Sequence, residues 1–253
     1  MSPDTSLALI LPAFLAGALV LASHVPMGQV VLARGIVFLD LAVAQIATLG
    51  LIMAPLLGLD ESGWPGRLLV FAVAIGGALL LSLSDRRWPE VQEAVIGSSF
   101  VVTASLLLVL LSQNPHGGER LVDMLAGQIL WVGYADLVPL ALLTTGVLML
   151  WWRLPGWRSG PGFYLLFAIM ITSSVQLVGV YLVFSSLILP ALVTRRLGRR
   201  RTLWGWSYGM SATLVGLLLS LYWDLPAGAA IVLCMALLLP IWSLAFRRFA
   251  LST

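Results

Sequence analysis

Three ionisable side chains stand inside otherwise apolar stretches: His24, Asp40 and Asp136, with Gln45, Gln128 and Gln176 as uncharged polar company. Ionisable groups at bilayer depth are costly, and where they occur they mark ion or substrate pathways by default. Asp40 and Gln45 share the run FLDLAVAQIATLG, Phe38 to Gly50, which has almost nothing else polar. Counted from Arg34, Asp40 lies about 9 Å into its helix and Gln45 about 15 Å, near the midplane. The two are about 140° apart around the helix, so Gln45 shares its face with Leu41 and Thr48 instead. The plainer reading pairs Asp40 with an arginine near the interface. It gives Gln45 an interhelical hydrogen bond worth about 1 kcal/mol.

Other polar groups carry weaker signals. His116, Glu119 and Asp123 are metal-ligand types in one loop, but their spacing suits ordinary solvated residues better than a metal site. Contact with a soluble partner needs no metal there. In LILPALVTRRLGRRR, Leu187 to Arg201, Pro190 precedes a short amphipathic segment and then five arginines in seven positions. Such a segment can anchor on anionic lipid head groups or dock in the groove of a soluble partner. No nucleotide-binding loop, HExxH or nucleophile–base pair is present. An intramembrane enzyme would have to use His24 with Asp40, and no serine nucleophile motif accompanies them. A membrane scaffold is the third class the composition permits.

The elements that must position these residues are membrane helices. Of 253 residues, 60% are hydrophobic and 10% charged, with mean hydropathy +1.02. A soluble domain carries about 25% charged residues, so this chain has too little polar surface for one. The sequence predicts an all-α polytopic membrane protein, a single domain over 1–253 with no soluble module. Apolar runs of about 20 residues place spans near 6–31, 36–57, 67–84, 93–112, 131–152, 202–222 and 226–246. The N-terminus lacks the basic region of a cleaved signal peptide, so its first run is expected to be a retained span. Cys234 is the only cysteine, sits in an apolar run and forms no internal disulfide.

All 14 basic residues are arginine. Their clustering sets the net charge of +3, so nucleic acid is not an expected partner. With the N-terminus outside and the C-terminus cytoplasmic, only Arg67 and Arg120 fall outside and the other twelve inside. Both flanks of the block 162–194 then lie on the cytoplasmic side, so the block needs an even number of crossings. Two passes of about 16 residues are short for full spans. Ser173–Ser174 and Gly179 are the places for the break, giving nine crossings; one long tilted helix would give eight. Irregular backbone at that depth must be buried in protein or face a water-filled cavity.

Three stretches, taken together and in order, resemble the ABC-3 type metal-ion permeases, the membrane subunits of bacterial importers for zinc, manganese and ferrous iron. They are PMGQVVLARGIVFLDLAVAQIATLG, DMLAGQILWVGYADL and VQLVGVYLVFSSLILPALVTRRL. The resemblance implies a homodimer in the bacterial cytoplasmic (inner) membrane, with a substrate pathway along the subunit interface. It implies a pair of cytoplasmic ATPase subunits that use the ATP, an extracytoplasmic solute-binding protein, and no cofactor on this chain. Pro190, Thr194, Arg195, Arg196, Leu197 and Gly198 then resemble the segment that docks on the ATPase. His116, Glu119, Asp123 and Gln128 fall on the binding-protein side. The family typically carries an Asp and a His four residues apart in the second span, and here Leu41 and Gln45 take those positions. Leucine is no metal ligand and neutral glutamine a poor one. The expected pathway set becomes His24, Asp40, Gln45, Thr48 and Gln176, and the expected cargo a divalent metal or metal complex. A non-metal small solute fits a midplane glutamine as well.

Overall fold

A computed structural model describes residues 3–60, 63–111, 125 and 127–250, with side chains from 9 to 244. Its regular structure, among the described residues, is helical throughout: α1 (Pro3–Arg34), α2 (Leu39–Leu56), α3 (Trp64–Arg87), α4 (Gln92–Leu111), α5 (Tyr134–Arg153), α6 (Gly160–Val178), α7 (Val180–Thr194), α8 (Arg201–Trp223) and α9 (Ala227–Ala250). Helix is the only option for isolated apolar segments in lipid, because each backbone polar group must be satisfied within its own segment. Seven of these helices are long and apolar enough to cross a bilayer, while α7 is apolar but has only 15 residues. The expected spans each coincide with one helix.

The arginine-bearing ends meet at one end of the bundle. Arg34 Nη2 donates to the Arg158 carbonyl at 2.8 Å, and its guanidinium lies over the Phe163 ring at 4.7 Å. Arg158 Nε donates to the Trp151 carbonyl at 2.9 Å. Gln29 near the end of α1 accepts the Thr202 hydroxyl at the start of α8, 3.0 Å away. Gln92 ties α4 to α3 and α6, donating to the Leu81 carbonyl at 3.0 Å and to the Tyr164 hydroxyl at 3.1 Å. Trp204 and Trp242 stack edge-on with centroids 6.4 Å apart, so the far end of α9 returns to this same side.

The block 160–194 folds as two helices broken at Gly179. Ser173–Ser174, the other possible break, stay helical: Ser173 Oγ donates to the Ile169 carbonyl four residues back, at 2.9 Å. Gly179 has φ 80° and ψ 163°, a backbone region that only glycine occupies without strain. α6 starts beside Arg86 and packs along α3, whereas α7 runs beside α1, α8 and α9. Near the break, Val178 and Leu182 surround a small void with Gly17 and Val20; further along, the Leu187 carbonyl closes on Gly28. α7 is therefore parallel to α1, and Thr194 returns to the arginine-rich end.

The turn does not reach the far end of the bundle. Gly17, at its level on α1, lies 14 residues inside a helix that begins at Pro3, about 21 Å along the axis. Fifteen residues of α7 cover about 22 Å against a hydrocarbon core of about 30 Å. The broken backbone is thus at membrane depth and needs protein cover. The segment after residue 126 supplies it. Gly127, at φ 67°, lies against Val178 and Gly179 so closely that a Cβ would collide with the Val178 carbonyl. Ile129, fully buried, closes over Gly17.

Small residues set the remaining helix contacts. α8 presents Gly205 and Gly209 to Val25 and Leu21 of α1, the close approach that helix pairs in lipid use in place of hydrophobic driving force. Trp206 Nε1 adds a hydrogen bond to the Leu21 carbonyl at 3.2 Å, and the buried Tyr208 hydroxyl donates to the Met235 carbonyl.

Candidate functional site

A cavity of about 570 Å³ opens between α2, α3, α5 and α6, beside the segment Gly127–Gln128. Its apolar wall includes Leu51, Val70, Phe71 and Leu140, and its polar groups are Thr48, Arg67, Gln128, Asp136, Ser173 and Gln176. Each polar group has a local reason for its position. Pro65 is the second residue of α3, where its missing N–H costs nothing and its fixed φ suits a first turn, and Arg67 follows within that turn. Asp136 is the third residue of α5, and its Oδ2 accepts the Gly133 N–H at 3.0 Å, a helix-capping contact. Its other oxygen is unused by that cap. Thr48 and Ser173 donate back along their own helices, to the Ala44 and Ile169 carbonyls at 2.9 Å each, so each presents mainly acceptor lone pairs. Gln128 and Gln176 are exposed and free to supply both amide donors and carbonyl acceptors. Among the described residues no carboxylate forms an ion pair with Arg67.

The expected residues divide between this cavity and elsewhere. Thr48 and Gln176 line it, and so does Gln128, which the resemblance puts on the binding-protein side. His24, Asp40 and Gln45 do not line it. His24 is fully buried in α1, with Nδ1 3.2 Å from Ser23 Oγ, whose proton goes to the Val20 carbonyl at 3.1 Å; its Nε2 has no partner. Asp40 is buried in the first turn of α2, at the arginine-rich end, and neither carboxyl oxygen has a hydrogen-bond partner. The arginine partner considered for it is engaged otherwise, since Arg34 holds the Arg158 carbonyl and the Phe163 ring. Glu93 serves the same helix end, accepting the Phe38 N–H at 3.3 Å. Gln45 is buried, and Leu41 packs against the core.

Arg67 and Asp136 enter the site in addition. Arg67 reads in the sequence as one of two stray outer arginines, and Asp136 as an isolated ionisable residue. The signal available for both was position: each falls in the first turn of a span beginning at the same membrane face. Among the described residues no three His, Cys, Asp or Glu side chains come together as a metal-holding group.

At the opposite end, α7 finishes in a compact turn. Thr194 Oγ1 donates to the Pro190 carbonyl at 2.7 Å, and the Leu197 N–H donates to the Thr194 carbonyl at 2.9 Å. Pro190 and Thr194 are buried, while Arg195, Arg196, Gly198, Arg199 and Arg200 are exposed. The turn therefore presents a row of guanidinium groups outward from an anchored stem. His116, Glu119 and Asp123 lie outside the described residues.

Comparison with known proteins gives this geometry a family. The ABC 3 transport family matches residues 6–155 and 161–246. A curated relative, the high-affinity zinc uptake system membrane protein ZnuB of Haemophilus influenzae, is 28% identical over 140 residues, covering 47% of this chain and 54% of the relative. The chain thus spans about half the length of that relative. Among solved structures, PsaBC from Streptococcus pneumoniae in complex with Fab superposes with a TM-score of 0.71 at 20% identity, over 93% of this chain and 89% of that one. An ABC transporter assigned to the metal-chelate type, in an inward-facing conformation, gives 0.66 at 18% identity, over 96% and 89%. At these identities the two structures establish the fold. With the family match running through nearly all of its helices, the chain belongs to the ABC 3 transport family.

Proposed function

We propose that this chain is the membrane-spanning permease subunit of an ABC importer, in the bacterial inner membrane, that moves a divalent metal ion or metal complex into the cell. The observation that carries the reading is the cavity walled in part by the end of α6, next to the helix break at Gly179 at membrane depth. Irregular backbone at that depth belongs to transport pathways. Zinc, named for the curated relative, is the first cargo to test. Thr48 and Gln176 are the expected pathway residues that reach the cavity, joined by Gln128, Arg67, Asp136 and Ser173.

In this reading the arginine-rich end is cytoplasmic, as the distribution of positive charge requires. The turn Pro190–Gly198 docks in the groove of a cytoplasmic ATPase pair, which hydrolyses the ATP. The end carrying Gln128 faces an extracytoplasmic binding protein, and a second copy of this chain completes the pathway. The experiment compares zinc, manganese and iron accumulation in cells with and without the gene. Lower accumulation of one metal in the deletion supports the reading, and unchanged levels of all three sink it.

A further inference from the structure

The cavity has the wrong chemistry for a naked transition-metal ion. A divalent ion of the zinc series is held by three or four nitrogen, sulfur or carboxylate ligands. Among the described residues no histidine or cysteine lines this cavity, and the one carboxylate, Asp136, shares the space with the Arg67 guanidinium. A fixed positive charge opposes a bare cation. Arg67 is exposed and, among the described residues, forms no ion pair. Its planar fork of N–H donors matches a carboxylate in bidentate geometry.

Size leads to the same ligand. A metal with six waters occupies about 180 Å³ at about 30 Å³ per water, roughly a third of the cavity's 570 Å³. The cavity lies instead in the range of sites for small organic ligands, about 300–1,000 Å³. Its remaining polar groups, the amides of Gln128 and Gln176 and the acceptor oxygens of Thr48 and Ser173, are neutral. They can hydrogen-bond hydroxyl, carboxylate and water oxygens around a coordinated metal, and they bring no charge of their own.

From these features we infer that the cavity receives its metal already coordinated, as an anionic carboxylate complex held through Arg67. This rests on the metal-permease reading and specifies the form of its cargo. The metal keeps the ligands it arrives with, and the protein binds the outside of the complex. Asp136, on the same wall system, then faces the ligand's hydroxyl or water protons.

The test uses the full chain in lipid nanodiscs, with radiolabelled zinc chloride, labelled citrate, and zinc with citrate as probes. Wild type should bind zinc and citrate together in equal amounts. Arg67→Gln should weaken that binding by about tenfold or more, and Arg67→Lys should retain part of it. Because Arg67 is exposed, both variants should melt like wild type, which separates lost binding from lost fold. Zinc bound without citrate, equally in wild type and Arg67→Gln, would overturn the inference and leave the metal-permease reading standing. Citrate bound without zinc would overturn the inference by making the site one for a free carboxylate anion. Joint binding that ignores Arg67→Gln would remove Arg67 from the site and with it the inference. No binding of any probe also overturns it, while cellular metal accumulation decides the broader reading separately.

Discussion

Replacing Gly127 with alanine should unseat the cover over the broken helix pair. Gly127 sits at φ 67°, and a Cβ there meets the carbonyl group of Val178 and the backbone nitrogen of Gly179. The left-handed backbone costs an L-residue about 1 kcal/mol. The collision is with main chain, which cannot rotate away as a side chain can, so the segment must lift, at the roughly 1–3 kcal/mol of an overpacked site. Together these give about 2–4 kcal/mol, or roughly 5–15 °C for a chain of this size. The protein supplies its own probe: Cys234 is the only cysteine and is 5% exposed, so a thiol-reactive dye reports its exposure on heating. Gly146→Ala in α5 is the control, because nothing lies within 4 Å of a Cβ there. As a helix-interior change it should be neutral or stabilising by up to about 1 kcal/mol. If Gly127→Ala melts within about 2 °C of wild type, the packing of this segment on the turn is wrong.

Three further outcomes are expected. In a Cys234→Ala background, Gly156→Cys and Gly198→Cys, both exposed, should react with an impermeant maleimide from the same side of the membrane; labelling from opposite sides would make 160–194 one crossing. Asp40→Val should raise the unfolding temperature, because it replaces a buried carboxyl with no hydrogen-bond partner by an apolar group of similar size, at a gain of about 1 kcal/mol or more. Metal uptake should survive that change, since Asp40 does not line the cavity; lost uptake in a stable variant would place Asp40 on the pathway. Arg195→Glu with Arg196→Glu should abolish co-purification of an ATPase while leaving membrane insertion intact, and retained co-purification would remove the docking role from this turn.

The spans were legible because lipid leaves composition few choices, and the arginines, being costly to translocate, record the ends of helices. Both flanks of 162–194 carry arginine, so the two-pass fold followed from counting. The location of its break did not. Serine at 173 and 174 can satisfy itself within a helix, whereas Gly179 breaks it because its backbone leaves the L-residue range. The cavity was the least legible feature. Arg67 and Asp136 are 69 positions apart in the chain, and no periodicity relates them; they share a space only because α3, α5 and α6 pack there. Asp40 shows the converse, since a carboxylate in an apolar run signals function in lipid but carries no information about where its side chain faces, and here it does not line the cavity.

The hairpin at Gly179 has unequal arms in a mechanical sense. Thr194 ends the 15-residue helix that leaves the joint on one side, about 22 Å away. Gln176, on the other side, is three residues from it, about 4.5 Å. A rigid rotation about the joint therefore moves the cavity glutamine about one-fifth as far as the arginine-bearing tip. A displacement of about 4 Å at the tip becomes less than about 1 Å at the cavity, the scale on which a hydrogen bond is made or lost. Gly127, wedged against the joint, sets how stiff it is, and so how much of that reduced motion arrives.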